Sequence, residues 1–461
     1  MADLSTSERL TPLDLLMPPT YIRVLLTFRT TDPSTPIFEN LNDALDRVSE
    51  TVPWLSGHVF ATPTATEQTP GLEIRYHSAP GRMLVDKGTI DVSYEALSAE
   101  GLLFDMIPDN VWPTPPMIDQ GLFLKGAPVF GASFFRFEDG QGVGLCISMH
   151  HSAVDAAGFA DIVRLWAQHT AGLEPSYTVC DSDRSARLLD ILQPDLQKIS
   201  STTTDSLFAS HPEYSKIPPA FPTEFPSCTC KHFMLSVAHL NTYKERLQGY
   251  VSGTMSTNAL VCALIWSAIT RARMQRSPAL VPESSRLAMA VNGRRRLGVG
   301  FSPPKNPYLG NTILYSLARL SASDLDSRLG SLESLAKICD AIGQSQSPTK
   351  IDSSHIAEVY SLVERAEDYR SIFVGWDLFS SRDLTITSWA DLDFYAMEFG
   401  KGLGRPEFTR VASSAADGVG IILPRKGASA GTGEVVEIMI MLRSDDMSVL
   451  EEDAVWKDFS P

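Results

Sequence analysis

The run His151-Ser152-Ala153-Val154-Asp155 places an imidazole four positions ahead of a carboxylate, where a strand-like stretch gives way to a helix-like one. A neutral imidazole fixed at such a seam can take a proton from an alcohol or an amine, because its pKa lies near working pH. That is general-base chemistry of the kind acyl transfer needs. His150 precedes it. If the strand continues through both histidines, alternation turns them to opposite faces, and the spacing to Asp155 selects His151. Asp155 is too close in sequence to be a separate acid. It is expected to pair with a cationic side chain and to fix the turn that aims the imidazole. The same residues also fit a satisfied histidine at a strand end followed by a helix-capping aspartate, and this segment alone weighs the two readings equally. No metal site is expected at His150, His151 and Asp155, since the histidines diverge and no further ligand cluster follows.

The elements around the run must position it. Residues 143–149 read as a strand that delivers the histidines, and 129–137 as its hairpin partner across a turn at 138–142. Ala156, Ala157 and Gly158 leave room beside the imidazole. A helix is expected over 158–169, with Phe159, Ile162, Val163 and Trp166 on one face. Upstream, 22–28 reads as a strand and 41–52 as a helix ending before Pro53. From 181 to 230 the character changes: Ser201 to Asp205 and Pro218 to Pro222 break regular structure, and the stretch reads as a crossover. Beyond it Ser256 can cap a helix over 257–273, with Leu260, Leu264, Ile265 and Ala268 as its buried stripe. Residues 385–389 and 435–442 read as strands, and Gly431-Thr432-Gly433 as a hairpin turn rather than a phosphate loop. The expectation is a mixed α/β (α+β) chain of two domains, 1–205 and 231–461, joined by a linker over 206–230.

Bulk properties exclude several functions. The chain has 461 residues and a net charge of −16. It lacks the basic excess that nucleic-acid binding or docking on anionic membranes requires. No apolar run reaches the length needed to span a bilayer, and the polar first residues contain no signal core. The six cysteines, Cys146, Cys180, Cys228, Cys230, Cys262 and Cys339, are scattered, with only Cys228 and Cys230 close together. That usage points to a reducing compartment, so a cytoplasmic protein is expected.

Around the His151 to Asp155 run the chain resembles the BAHD acyltransferase superfamily, in its fungal branch that includes trichothecene 3-O-acetyltransferases. The resemblance runs nearly end to end. It rests on Leu10-Thr11-Pro12-Leu13-Asp14, Pro53-Trp54-Leu55-Ser56-Gly57, Ser256 through Trp266 to Arg273, Val291-Asn292-Gly293-Arg294, Tyr308-Leu309-Gly310-Asn311 and the ending Asp446 to Trp456. The family's second signature, Asp-Phe-Gly-Trp-Gly, is matched here by Glu398-Phe399-Gly400-Lys401-Gly402, and Ala156 stands where the family usually has glycine.

The resemblance implies two chloramphenicol-acetyltransferase-like domains with the active-site channel between them. It also implies coenzyme A-dependent O-acyl transfer, acetyl most of all, to a hydroxyl of a fungal-type secondary metabolite. His151 becomes the base and Asp155 an orienting residue. The Trp389 indole becomes the oxyanion donor, although the residue alone also fits a core tryptophan at a strand end. Thr387, Ser388, Tyr308 and Asn311 are placed toward the acceptor, and Ser256, Thr257 and Gly310 toward the cofactor. Of Arg294-Arg295-Arg296, Arg294 is the structural member, paired with Glu398, and the others form a solvated face. A small-molecule alcohol and acyl-CoA are the expected partners of a monomer that needs no metal and no permanently bound cofactor. Two other readings share the scaffold: a condensation-type enzyme fed by a carrier-protein thioester, and a silent acyl-CoA or metabolite-binding protein.

Overall fold

Two mixed sheets carry the chain. The computed structural model describes residues 6–30, 35–62, 70–77, 83–102, 106–178, 183–326, 331–377, 379–412, 415–427 and 433–460. The first sheet has five strands in the order Phe408–Val411, Tyr21–Arg29, Gly142–His150, Phe130–Phe137 and Leu84–Ile90. The second has six: Cys228–Ser236, Val435–Arg443, Val419–Ile422, Leu384–Ser388, Ser284–Asn292 and Ile313–Ser321.

Every residue of Gly142–His150 is buried, and alternation explains why so unbroken an apolar run forms a strand. Val24, Leu26, Leu145, Ile147 and Met149 point into a core shared with the helices Ile37–Thr51 and Ala156–Ala171. Leu25, Phe135, Phe137 and Cys146 point into a second core on the opposite face, with Tyr94 and Trp112. Covered on both sides, the strand has no polar face to show.

The second sheet divides its side chains in the same way. Leu287, Leu384, Ile386, Ile438, Ile440 and Leu442 pack against the helix Thr257–Arg276. Ile421, Leu423, Met439 and Met441 join the core of the first sheet. One hydrophobic core therefore spans residues from both halves of the chain. The strand Phe408–Val411 crosses too: it comes from the C-terminal half yet pairs antiparallel with Tyr21–Arg29, Phe408 opposite Thr27.

The expected elements are present with shifted ends: Tyr21–Arg29, Ile37–Thr51, Phe130–Phe137, Ala156–Ala171, Leu384–Ser388 and Val435–Arg443. Ser256 caps Thr257–Arg276, its hydroxyl accepting from Ala259 N at 3.0 Å. That helix has no single buried stripe. Val261, Cys262, Ala263, Trp266 and Ile269 are buried along with the expected residues, because sheet and helices enclose it. The 181–230 stretch is more regular than its composition predicts. Helices Arg184–Lys198 and Thr204–Ser210 form there, the first with Pro194 inside it. Gly431 and Thr432 of the expected hairpin turn lie outside the described residues. Among the described residues, no helix is long and apolar enough to cross a membrane.

Candidate active site

The strand ends at His150, and the chain turns before the helix Ala156–Ala171 begins. Alternation therefore does not aim His151; the turn does. His151 N donates to Thr20 O at 3.0 Å, and Ala153 N donates back to His150 O at 2.8 Å. The two histidines then meet different surroundings. The His150 ring is buried edge-on to Tyr21, and its Nδ1 accepts from Ser152 N at 3.1 Å. Burial, with His151 beside it, pushes its pKa down to about 3, so it is neutral. His151 stays half-buried, with Nδ1 enclosed and without a well-aligned hydrogen bond. Burial lowers its pKa, against the opposing pull of nearby carbonyls, the Asp155 carboxylate and Asn311.

Asp155 is fully buried and does two jobs. Oδ1 accepts from Ala157 N at 3.1 Å and Gly158 N at 3.0 Å, capping the helix. Oδ2 accepts from Arg294 Nη1 at 2.7 Å and Thr312 N at 3.0 Å. The cation expected beside Asp155 is thus Arg294. This corrects the Arg294–Glu398 pair. Arg294 follows Ser284–Asn292 through a tight turn and reaches the buried helix start, where its remaining donors go to Tyr308 O, Gly310 O and Thr312 Oγ1 at 2.8–3.0 Å. Glu398 has a partly exposed side chain and accepts from Gly400 N at 3.0 Å, with Arg405 Nε at 3.5 Å. Arg295 is exposed, as expected of the solvated members of its run, whereas Arg296 is half-buried and donates to Gln346 O at 2.8 Å.

Two glycines let the pieces approach. A Cβ on Gly158 would lie 2.1 Å from Leu309 O, so the capped helix meets the 308–311 loop at backbone contact. Gly158→Ala is expected to cost about 1–3 kcal/mol through overpacking, read as a lower urea midpoint; an unchanged midpoint would show that the loop can give way. Gly400, at φ +79°, packs against Ala171 Cα, where a Cβ would come within 2.7 Å. The Glu398 to Gly402 segment thereby abuts the far end of the same helix. Ala156 occupies the helix's first turn without positive φ, so a methyl is accommodated there.

The other predicted residues divide. Asn311 reaches the histidine turn: Nδ2 donates to His151 O at 3.0 Å and to Asp14 Oδ1 at 2.8 Å. Tyr308 is buried against Phe301, and both it and Gly310 offer carbonyls to Arg294. Trp389 is buried at the end of Leu384–Ser388, stacked on Phe394 and tilted against Phe159 of the capped helix. Thr387 is half-buried and Ser388 exposed just before it. Ser256 is used as a cap and lines a cavity of about 380 Å³, while Thr257 Oγ1 accepts from Lys244 Nζ at 3.0 Å.

Besides Thr312, Asp14 and Arg184 belong to this network without having carried a role in the sequence reading. Asp14, fully buried, holds Asn311 N and Nδ2 through one oxygen and Thr11 through the other. Arg184 donates to Ala153 O at 2.7 Å while paired with Glu8 at 2.6 Å, bracing the turn from the other side. Asp14 stands in the Leu10 to Asp14 motif, which is its only sequence signal; Arg184 sits in the 181–230 stretch that reads as an irregular crossover.

Residues 120–456 match the model of the Transferase family. The chain belongs to that family. Its residues 20–169 also match the trichothecene 3-O-acetyltransferase-like N-terminal domain. Among characterised relatives, the O-acetyltransferase ptmV of Penicillium ochrochloron is 25% identical over 98% of this chain and 96% of its own. The trichothecene 8-O-acetyltransferase of Fusarium sporotrichioides is 26% identical over 96% of each. F. graminearum TRI101 complexed with coenzyme A and T-2 mycotoxin superposes with a TM-score of 0.79 over 99% of both chains at 18% identity. Vinorine synthase follows with a TM-score of 0.65 over 100% of this chain and 95% of its own, at 16% identity. The Transferase family thus extends over the histidine turn, Arg294 and the 308–312 loop that tie the two halves together.

Proposed function

We propose that this protein is a coenzyme A-dependent O-acyltransferase, using acetyl-CoA first of all, that acylates a hydroxyl of a secondary metabolite. The observation that carries the reading is the His151 turn: a half-buried imidazole on a turn whose backbone carbonyls are held by Asn311 and Arg184, followed at once by the Asp155–Arg294 anchor. His151 takes the acceptor's proton as its oxygen attacks the thioester carbonyl. The Trp389 N–H donates to the oxygen that becomes negative, where a preorganised donor acts most strongly. The tetrahedral intermediate collapses, the C–S bond breaks, and the thiolate leaves with the proton from His151. Asp155 never handles that proton; its lone pairs are taken by Arg294, Thr312 N and the helix amides. Holding donor and acceptor together in a channel between the two halves, 1–205 and 231–461, joined by the linker 206–230, supplies much of the rate.

We assign Thr387 and Ser388, at the strand end before Trp389, to the acceptor together with Tyr308 and Asn311, and Ser256, Thr257 and Gly310 to the coenzyme. No permanent cofactor is part of the scheme. The same reading takes the chain as a cytosolic monomer, where thiols such as the free Cys146, Cys228, Cys230, Cys262 and Cys339 stay reduced. Free thiol release from a panel of acyl-CoAs, each offered with an extract of fungal metabolites and followed by mass, tests it. A gain of one acyl group on a metabolite is the expected result; thiol release only from a carrier-protein thioester would mark the condensation-type alternative.

Burial keeps His151 deprotonated below its ordinary pKa of 6.5. Its protonation in the folded protein is disfavoured, so activity and the stability this group contributes are full above 6.5 and fall as pH drops. The acid limb of kcat/KM, which reports the free enzyme, is expected at a midpoint below 6.5. A midpoint at or above that value would contradict the desolvated imidazole.

A further inference from the structure

A second cluster of ligating side chains lies on the 204–215 segment and the helix Ser353–Glu364. His211 Nδ1 is 2.9 Å from Glu213 Oε1, and His355 Nε2 is 3.3 Å from the same oxygen. One ligating atom from each of the three residues lies within 4.8 Å of the others. His211 and Glu213 are buried, and His355 Nε2 is buried without a hydrogen bond. On its other edge, His211 Nε2 meets Glu358 Oε2 at 2.9 Å. All four residues border a cavity of about 290 Å³, whose further charged groups, Lys350 and Asp352, offset one another.

We propose that His211, Glu213 and His355 bind a divalent transition metal, zinc first, with Glu358 fixing the His211 tautomer and the cavity supplying a fourth, water-filled position. Two imidazoles and one carboxylate form a donor set suited to zinc, with an open fourth place. Zinc bonds of 2.0–2.1 Å in tetrahedral array put donor atoms about 3.3 Å apart, which is the His355–Glu213 distance; the His211–Glu213 contact needs a few tenths of an ångström more, and the two imidazoles, whose ligating atoms lie within 4.8 Å, adjust to the same spacing on binding. In the metal-free protein His211 Nδ1 faces Glu213 Oε1 at 2.9 Å, and the ion enters between them. Glu358 then receives the Nε2–H, the usual carboxylate behind a metal-bound histidine.

The backbone is ready for such a site. His355 and Glu358 are three apart on one helix and share a face, and Asp352 caps that helix at His355 N at 2.9 Å. Glu213 is held where Gly375 N donates to its carbonyl at 2.9 Å, beside the pairing of Tyr214–Ser215 with Phe373–Val374. Ile356 of the same helix packs beneath Gly293, next to Arg294. The metal therefore clips the chain crossing between the halves to the helix that backs the Asp155 anchor.

The full chain, stripped with a chelator and desalted, is titrated with zinc by calorimetry and with cobalt by visible absorption. One equivalent of zinc, a raised Tm and an intense four-coordinate cobalt band are expected. His355→Ala is expected to abolish the cobalt band, and Glu358→Gln, which keeps all three ligands, to weaken zinc binding about 10–100-fold. Should His355→Ala not fold, Glu358→Gln and His355→Gln carry the comparison. Failure of the wild-type chain to take up zinc, or equal affinity in the variants that fold, overturns the proposal.

Discussion

His151→Ala is expected to lower kcat/KM for acyl transfer about 10²–10⁴-fold, the usual worth of a positioned general base, while leaving the urea midpoint close to the wild-type value. The separation of the two effects follows from how the turn is built. The contacts that hold it are made by backbone atoms: His151 N to Thr20 O, His151 O from Asn311 Nδ2, and Ala153 O from Arg184 Nη1. Alanine keeps all three. What it removes is a half-buried imidazole with an enclosed, poorly bonded Nδ1, a side chain that contributes little to folding. Steady-state kinetics with saturating acyl-CoA should therefore show the loss in kcat, with KM for acyl-CoA little changed. If the variant keeps more than a tenth of wild-type turnover, the proton goes elsewhere and His151 is only a packed histidine. His150→Ala cannot substitute for this test, since His150 is neutral and buried against Tyr21.

The second large effect is structural. Arg294→Met is expected to destabilise the protein by about 3–5 kcal/mol, because breaking a buried pair leaves an uncompensated charge. Asp155 has no solvent exposure, and its oxygens would keep only amide donors, Thr312 N, Ala157 N and Gly158 N. The carbonyls of Tyr308 and Gly310 would lose their donor at the same time. Arg294→Lys is expected to rescue little, since one ammonium cannot reproduce a planar fork that serves a carboxylate, a hydroxyl and two carbonyls. Arg295→Met, at an exposed position, should stay within about 0.5 kcal/mol. Denaturant unfolding of the three variants decides the matter: a cost under about 1 kcal/mol for Arg294→Met would mean the anchor is elsewhere.

The parts legible in the sequence were those written in local patterns. Gly142–His150 and Phe130–Phe137 are a hairpin with its turn between, Ser256 caps its helix, and the histidine–aspartate spacing marks the turn. The cation on Asp155 was legible as a need but not as a residue. Arg294 lies 139 positions away, and resemblance offered it a different acid. Sequence gives no distance across a fold, and only the geometry separates Asp155, buried at a helix start, from Glu398 on a partly exposed loop. The helix Arg184–Lys198 was hidden for a different reason. The serine–threonine run Ser201 to Asp205 and the proline-rich Pro218 to Pro222 mark the whole stretch as irregular, yet Leu188 and Leu192 bury one face of a helix that even holds Pro194, and tertiary packing outweighs propensity. The His211–Glu358 contact joins residues 147 apart and has no local signature at all.

The pairing of Phe408–Val411 with Tyr21–Arg29 sets the order in which this protein can mature on the ribosome. The strand that flanks the site is among the first segments made and its neighbour among the last. Until that neighbour emerges, one edge of Tyr21–Arg29 is an open template for other nascent chains. A product truncated before 400 would carry His151 and Asp155 yet present that raw edge, so premature termination yields a sticky fragment rather than a weak enzyme. Holdase chaperones that cover bare strand edges are the natural guardians of such a chain.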